Sequence, residues 1–424
     1  MTLFGGVIPV TGITFLLFCV FAILFVGYAL GRITIKGVSL GDAGVFIIAL
    51  IFGALFYDKL DSQLVTGGVK YASQALSIVQ NLGLVLFVTS VGFIAGPKFF
   101  GNLKRNFKSY VLIGLVVILA GGLASIGCIY LGRGVFGTGG LSNEGFTAMI
   151  VGIISGSLTS TPAFSAALDT VKDQYPTMVA EYQSLVSVGH GIAYIFGVIG
   201  VVLFVQLIPK LTKADMEVER AKLVVVEENP KPKKEFAGKL LALDHLGIAP
   251  FAFAAVLGTF VGKIKIPLSG DGLSGTCFSL TTTGGCLLVA LVLGHFGRIG
   301  KLKVMPEQSI LKIFRELGLV LFLVGAGIPG GADFVEFFDP MYFVYGVIIT
   351  IIPMIIGFLF AKYVLKLSLL NNLGAITGGM TSTPALGTLI NTAGTEDVAS
   401  AYAATYPIAL IVVVLVSQFI IILF

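Results

Sequence analysis

The chain has 424 residues, of which 56% are hydrophobic and 12% are charged, and its mean hydropathy is +1.00. Soluble globular domains carry about 25% charged residues, so the composition excludes an ordinary soluble enzyme and indicates an all-α, polytopic membrane protein in a lipid bilayer. The net charge of +5 comes from basic loops between apolar stretches and does not indicate nucleic-acid binding.

Twelve apolar stretches follow one another along the chain, and a bilayer span needs about 17–25 such residues. They lie near residues 13–31, 43–57, 79–96, 110–132, 146–168, 183–208, 247–262, 276–294, 316–330, 341–362, 371–392 and 402–424. Between the sixth and the seventh lies a segment, residues 209–240, in which 14 of 32 residues are charged. This segment is predicted to be an aqueous linker between two membrane repeats, residues 1–208 and 241–424.

The loops give an orientation, because cytoplasmic loops carry an excess of lysine and arginine. The loop "PKFFGNLKRNFK" and the linker, with eight basic residues, are both strongly basic and predicted to be cytoplasmic. Three apolar stretches separate them, yet an even number of crossings must connect two loops on one side. The stretch 146–168, which contains "GSLTSTPAF", is therefore predicted to be a re-entrant hairpin, since its proline breaks a helix.

The loops of the second half predict the same arrangement, with a hairpin at 371–392. Each half then has five transmembrane helices and one hairpin, and the odd number of crossings inverts the second half relative to the first. Both termini are expected outside the cell.

Four pairs of segments match in the same order in the two halves. They are "GYALGRITI" and "GTFVGKIKI", "NLGLVLFVTSVG" and "ELGLVLFLVGAG", "GSLTSTPA" and "GGMTSTPA", and "GIAYIFG" and "AATYPIA". Such register indicates an internal duplication. Inverted repeats with interrupted segments at matching positions are typical of secondary transporters, whose substrate site lies near the midplane between the repeats.

The two hairpin tips are predicted to form that site. Each offers hydroxyl groups and a helix that begins at a proline, where unpaired N–H groups carry a partial positive charge. Two such ends favour a small anion with two carboxylates, although Ser/Thr-Pro pairs also kink ordinary spanning helices. The expected substrate-binding residues of the tips are Ser157, Thr159, Ser160, Thr161, Pro162, Thr381, Ser382, Thr383 and Pro384.

Two further kinds of side chain, histidine and tyrosine, are expected at the site. His190 is an ionisable residue near the middle of a span, which favours a functional role, but a neutral histidine bonded between helices fits equally. Its partner in the second repeat is Tyr402, and Tyr194 matches Tyr406. These tyrosines either donate to a carboxylate or serve as interfacial anchors.

No Asp or Glu lies in the middle of an apolar stretch. Six acidic residues lie near the ends of such stretches, namely Asp42, Asp58, Glu144, Asp169, Glu316 and Glu396. A carboxylate proton relay is therefore not expected, and no P-loop or H-E-x-x-H motif is present. The sequence predicts no enzyme activity, cofactor or metal site, and leaves either exchange or coupling to an unidentified cation.

With these motifs in hand, the chain resembles the aspartate:alanine exchanger family of bacterial membrane proteins. The likeness rests on the "GSLTSTPA" and "GGMTSTPA" pair and on the closing "AYIFGVIG" and "TYPIAL" segments. It implies a homodimeric inner-membrane exchanger of aspartate against alanine, or an exporter of C4-dicarboxylates such as succinate. It also implies an elevator fold, in which a hairpin-bearing core slides against a scaffold, with residues 159–162 and 381–384 lining the site.

The chain departs from the family in two places. Familiar members insert two regulatory domains between the halves, whereas only 32 residues stand here, which puts gating by a cytosolic ligand in doubt. Ile195 stands where the second repeat has Pro407.

Two alternatives to an exchanger remain at this stage. One is a sodium-coupled symporter for glutamate or citrate, which would share the hairpins and the inverted repeats. The other is a channel or membrane scaffold without alternating access.

Overall fold

A computed structural model of the chain describes residues 2–3, 8–35, 38–39, 41, 43–105, 107–224, 240–268, 270, 272–274 and 277–424. These residues are mostly helical. The helices are α1 (Gly12–Gly31), α2 (Ala43–Gln63), α3 (Ala72–Arg105), α4 (Leu112–Leu131), α5 (Asn143–Ser157), α6 (Thr161–Gln174), α7 (Val179–Leu211), α8 (Met216–Ala221), α9 (Ile248–Gly262), α10 (Thr281–Phe296), α11 (Gln308–Ala332), α12 (Phe334–Phe337), α13 (Pro340–Leu359), α14 (Leu369–Gly379), α15 (Thr383–Ala393) and α16 (Ala399–Leu423).

Shorter elements join these helices. Turns of π-helix adjoin α4 and α13 at Phe107–Val111, Gly132–Phe136 and Phe360–Val364, and turns of 3₁₀-helix lie at Gly272–Ser274 and Glu396–Val398. Five antiparallel pairs of two-residue strands close loops: β1 (Thr2–Leu3) with β2 (Ile8–Pro9), β3 (Thr34–Ile35) with β4 (Val38–Ser39), β5 (Val65–Thr66) with β6 (Val69–Lys70), β7 (Ile266–Pro267) with β8 (Cys277–Phe278), and β9 (Arg298–Ile299) with β10 (Leu302–Lys303).

The two stretches with the repeated Thr-Ser-Thr-Pro motif are each broken into two helices. Residues 158–160 separate α5 from α6, and residues 380–382 separate α14 from α15. In both cases a proline lies in the first turn of the second helix, where its missing N–H has no helical partner to lose. Thr159 and Thr381 have φ angles of +50° and +52°, which a β-branched residue rarely adopts. The motif therefore ends one helix and starts another.

The first broken stretch turns back on itself. Ser142, which caps the start of α5, lies with its Oγ 3.0 Å from the Tyr182 hydroxyl of α7. Tyr175, which follows α6, stacks edge-on against the same Tyr182 ring, with centroids 5.1 Å apart. Both ends of the stretch thus lie at the start of α7, and α5 with α6 forms hairpin 1.

The second broken stretch also turns back, and the short helix α8 holds its base. The Leu369 N–H at the start of α14 donates to Glu219 Oε2 at 3.3 Å, and Arg220 Nη1 donates to the Ala393 carbonyl at the end of α15 at 2.9 Å. Asn371 also exchanges two hydrogen bonds with the backbone of Val224. Helices α14 and α15 form hairpin 2, whose base lies at the end of α7. We call this end of the molecule the linker side.

The long helices pack as two bundles. The scaffold bundle consists of α1, α2 and α3 from the first half with α9, α10 and α11 from the second, and α3 packs closely against both α10 and α11. The hairpin bundle consists of α4, hairpin 1, α7, α13, hairpin 2 and α16. Contacts between the bundles are fewer, and they run mainly through α6 on α10 and α7 on α11.

Six helical segments of the described chain are long and apolar enough to cross a membrane. They are Gly12–Gly31, Ala72–Pro97, Ser109–Phe136, Val179–Leu211, Pro340–Val364 and Glu396–Leu423. Helices α9 and α10 are apolar but shorter, and α11 carries Lys312, Arg315 and Glu316 in its first half. These segments support a multi-pass membrane protein.

The predicted linker, residues 209–240, is described in part. Residues 209–211 complete α7, residues 216–221 form α8, and residues 225–239 lie outside the described part of the chain.

Candidate functional site

The tips of the two hairpins touch each other near the middle of the molecule. Thr159 Oγ1 donates to the Met380 carbonyl at 3.1 Å, and Thr381 Oγ1 donates to the Leu158 carbonyl at 2.8 Å. The two bonds are equivalent, because Thr159 and Thr381 occupy the same position in the repeated motif and share the left-handed conformation. The tips are thus joined by a reciprocal pair of buried hydrogen bonds.

A cavity of about 500 Å³ lies between the joined tips and the scaffold bundle. Its lining contains eight of the residues expected from the sequence, namely Thr159, Thr161, Pro162, His190, Tyr194, Thr381, Thr383 and Tyr406. Helices α2, α3 and α11 close the opposite wall with Phe46, Phe87, Val91, Leu319 and Leu323. A volume of this size accommodates a small molecule.

Four of the other expected residues, Ser157, Ser160, Ser382 and Tyr402, do not line the cavity. Ser157 Oγ donates to the Gly346 carbonyl at 3.1 Å, and Ser160 Oγ accepts from the Ala163 N–H at 3.3 Å. The Tyr402 hydroxyl lies 3.4 Å from Thr383 Oγ1. Ser382 is fully buried at the N-cap of α15, and Pro384 belongs to the first turn of the same helix.

His190 connects α7 to both arms of hairpin 1. Its ring is buried and stacks on Phe164 of α6, with the centroids 4.1 Å apart and the planes 8° from parallel. Its Nδ1 lies 2.8 Å from Ser155 Oγ of α5. Ser155 Oγ also lies 2.6 Å from the Gly152 carbonyl, to which it donates its only proton. The serine must therefore accept from Nδ1–H, so the neutral ring presents Nε2 as an acceptor.

Four polar residues of the cavity were not among the substrate-binding residues predicted from the sequence. Arg315 and Glu316 of α11 line the cavity, as do Thr388 and Asn391 of α15. Arg315 Nε donates to Glu316 Oε1 at 3.2 Å, and its Nη2 donates to the same oxygen. Glu316 was expected at the end of an apolar stretch, but α11 begins eight residues earlier, at Gln308, so the pair lies inside the helix.

The two hairpins present matching faces to different surroundings. Ser165 and Asp169 of α6 are buried, and their side chains contact Thr283 at the start of α10. The equivalent positions of α15, Gly387 and Asn391, are exposed and line the cavity instead. Hairpin 1 is therefore closed against the scaffold bundle, while the same face of hairpin 2 is open on the linker side.

Asp169 is the main polar contact in the closed interface. Its carboxylate is 8% exposed and accepts hydrogen bonds from the Thr283 N–H at 3.2 Å and from Thr283 Oγ1 at 3.1 Å. A carboxylate at a helix start is favoured by the helix dipole. One turn further, Asp173 forms an ion pair with Lys263 at 2.9 Å. In the sequence Asp169 follows the end of an apolar stretch, and in the structure its side chain is buried between the two bundles.

A second cavity, of about 520 Å³, lies on the other side of hairpin 1. Its lining includes Leu168 and Lys172 of hairpin 1 and Gln80 of α3, and it shares no lining residue with the first cavity. Hairpin 1 thus stands between the two cavities. Among the described residues, no group of three His, Cys, Asp or Glu side chains is arranged to hold a metal ion.

One known family model matches both halves of the chain. The family model Asp-Al_Ex, described as a predicted permease membrane region, matches residues 19–210 and 250–422. The unmatched residues between these ranges, 211–249, include α8 and all of the predicted linker except residues 209 and 210.

Relatives cover nearly the whole chain. A protein of Bacteroides fragilis named as an uncharacterized transporter is 27% identical over 556 aligned positions, which cover 95% of this chain and 97% of the relative. A protein of Rhodopirellula baltica with the same description is 24% identical, with 94% and 97% coverage. A putative transport protein of Klebsiella pneumoniae is 23% identical, with 94% and 96% coverage. The alignments are longer than the 424 residues of this chain, so these relatives carry residues that it lacks.

Proposed function

Because the chain belongs to the family of the predicted permease membrane region, Asp-Al_Ex, and is a membrane transporter, we propose that it exchanges or exports small carboxylate anions. The substrates would be C4-dicarboxylates or acidic amino acids, such as succinate or aspartate, the latter against alanine. The observation that carries the proposal is the cavity of about 500 Å³ at the meeting point of the two hairpin tips. Helix starts that face a cavity are suited to bind anions.

The unequal surroundings of the two hairpins support alternating access as part of the proposal. In the present state Asp169 of hairpin 1 is buried against α10, while Asn391 of hairpin 2 faces the open cavity. Movement of the hairpin bundle along the scaffold bundle would reverse these surroundings and expose the site on the other side. This is an elevator mechanism, and the sparse contacts between the bundles support it.

Glycine contacts support the inverted repeat that such a mechanism needs. A Cβ on Gly44 of α2 would lie 2.4 Å from the Gly27 carbonyl oxygen of α1, and a Cβ on Gly285 of α10 would lie 2.2 Å from the Gly258 carbonyl oxygen of α9. Gly27 and Gly258 begin the first pair of matched segments. The same close approach of backbones thus recurs at equivalent places in the two halves, with five crossings and one hairpin proposed for each.

The orientation and assembly are also part of the proposal. The linker side would be cytoplasmic and both termini would lie outside the bacterial inner membrane, as the distribution of basic residues favours. The proposal that the protein is a homodimer rests on the family resemblance alone. Labelling of single cysteines from either side of the membrane tests the orientation: a cysteine at 217 should react only from the cytoplasm, and one at 424 only from outside.

Counterflow in proteoliposomes tests the exchange. Vesicles loaded with unlabelled succinate, aspartate or alanine, and free of sodium, should take up labelled succinate or aspartate faster than empty vesicles. Uptake that requires sodium and gains nothing from internal substrate would support the symporter instead. Large currents without stimulation by internal substrate would support a channel, and either result would overturn the proposed exchange.

A further inference from the structure

The starts of the second arms of the two hairpins are not equivalent, although their sequences are. In hairpin 1, Ser160 Oγ caps the helix by accepting from the Ala163 N–H. In hairpin 2, Ser382 makes no such bond, and its Oγ is buried without a hydrogen-bond partner among the described residues. Buried polar atoms are normally paired. The Ala385 N–H in the first turn of α15 therefore lacks the capping bond that the equivalent Ala163 N–H of α6 makes.

A second unpaired hydroxyl lies one turn further along α15. Thr388 is 4% exposed and lines the cavity, and its Oγ1 has no partner among the described residues. The equivalent position in hairpin 1 is Ala166, which has no polar group to offer. Thus the unpaired Thr388 hydroxyl lines the hairpin 2 end of the cavity, and the unpaired Ser382 hydroxyl lies buried, outside the cavity lining, at the uncapped start of α15.

The opposite end of the cavity has the reverse polarity. His190 donates Nδ1–H to Ser155, so its Nε2 is an acceptor, and the adjacent helix start of α6 is capped by Ser160. Arg315 does not belong to this end, because it lies near Tyr402 and Tyr406 beside hairpin 2, where Glu316 accepts from two of its guanidinium nitrogens. The end of the cavity at hairpin 1 therefore favours a hydrogen-bond donor rather than a second carboxylate.

We propose that the cavity binds its substrate in one direction, with a single carboxylate at the start of α15 and a hydrogen-bond donor against His190. The carboxylate would accept from the uncapped N–H of the first turn and from the hydroxyl of Thr388, which lines the cavity. The substrate is then an anion with one ionised carboxylate and a donor group about one small molecule's length away. This inference rests on the proposed function, which by itself allows two carboxylates at two equivalent helix ends.

Matched pairs of ligands distinguish the two arrangements. Binding of succinate and succinamate, and of aspartate and asparagine, is measured by calorimetry on the purified full chain in lipid nanodiscs. In each pair the amide removes one carboxylate and adds N–H donors, so we expect at least one pair to bind with affinities within about threefold of each other. If an acid binds and its amide binds more than about thirtyfold more weakly in both pairs, the directional site is wrong while the anion transporter stands. If none of the four binds, both proposals fail.

Two variants identify the end that holds the carboxylate. Thr388→Val removes the unpaired hydroxyl but keeps the shape, and we expect it to weaken binding of the acid and of its amide about tenfold. Thr392→Val is the matched control on the same helix, because the Thr392 hydroxyl donates to the Thr388 carbonyl, and we expect its affinities to match those of the parent. Unchanged affinities in Thr388→Val, or an equal loss in the control, would contradict the assignment.

Discussion

Removal of the Asp169 carboxylate should open the interface between hairpin 1 and α10. In Asp169→Ala, the N–H and the Oγ1 of Thr283 lose their acceptor and, in the closed state, stay largely out of contact with water. A hydrogen bond to a charged group contributes about 1.5–3 kcal/mol, and a buried donor without a partner costs about 1–3 kcal/mol. The relief of carboxylate desolvation offsets part of this loss.

We expect a net cost of about 1.4–2.8 kcal/mol to the closed interface, which corresponds to about a tenfold to hundredfold shift toward the state with hairpin 1 released. Asp169→Asn keeps one acceptor for Thr283, so its shift should be smaller. The effect is on the equilibrium between two conformations, because both states keep the fold of the hairpin itself.

The assay is the labelling rate of a cysteine at position 165 by a membrane-impermeant maleimide. Ser165 is fully buried on the same face of α6, so the Ser165→Cys parent should react slowly and in proportion to the released state. Adding Asp169→Ala should raise that rate about tenfold to hundredfold, with reagent supplied on the side opposite the linker.

Lys263→Ala is the matched control at the same interface. It removes the ion pair with Asp173, in which the lysine side chain is 48% exposed, and exposed pairs contribute about 0–1 kcal/mol. Its labelling rate should therefore rise by no more than about fivefold. A rate in Asp169→Ala within twofold of the parent, or no larger than that of Lys263→Ala, would refute the role of Asp169.

Three further predictions concern the cavity and the linker side. Thr383→Ala should lower the rate of counterflow about tenfold through loss of a cavity hydroxyl, whereas Thr392→Ala should transport like the parent; equal rates in both variants would exclude Thr383 from the site. Glu316→Gln should release Arg315 and tighten the binding of succinate several-fold, by about 1 kcal/mol, and weaker binding in calorimetry would contradict the free-cation argument. Backbone N–H groups of residues 246–249 lower the pKa of Asp244, so its contribution to stability is present above its usual pKa and is lost as the pH falls through the lowered value. Accordingly, Asp244→Ala should speed amide exchange at the start of α9 at neutral pH, and at a pH below the lowered pKa the two proteins should exchange alike; a difference that persists there would point to another cause.

The sequence predicted a break at each "TSTP" motif because proline cannot continue a helix, and in the structure each stretch is divided into two helices, at residues 158–160 and 380–382. The loop charges predicted in addition that each pair enters and leaves the membrane on one side, which stays a prediction. The boundaries were less predictable, because polar residues extend hairpin 1 from the predicted 146–168 to 143–174. Charged and polar residues at a helix end resemble loop residues in the sequence, because only the packing of the folded chain shows that the helix continues through them.

The polar lining of the cavity was harder to predict for the same reason. Arg315 precedes the predicted apolar stretch and Glu316 is its first residue, so hydropathy gave neither a place inside a helix, although α11 begins at Gln308 and continues through both. Thr388 and Asn391 recur on one face of α15 with Thr383, a spacing that identifies a polar stripe once the helix is known to border a cavity. The Asp169 carboxylate accepts a hydrogen bond from Thr283, which is more than a hundred residues away in the sequence. No local sequence pattern reveals such a partner.

The reciprocal bonds from Thr159 to the Met380 carbonyl and from Thr381 to the Leu158 carbonyl have a consequence for movement. Because each tip is tied to the backbone of the other, displacement of one hairpin relative to the other would break both bonds. The two tips are therefore expected to shift as one unit, so that the wall they form together stays intact when the hairpins move against the scaffold bundle.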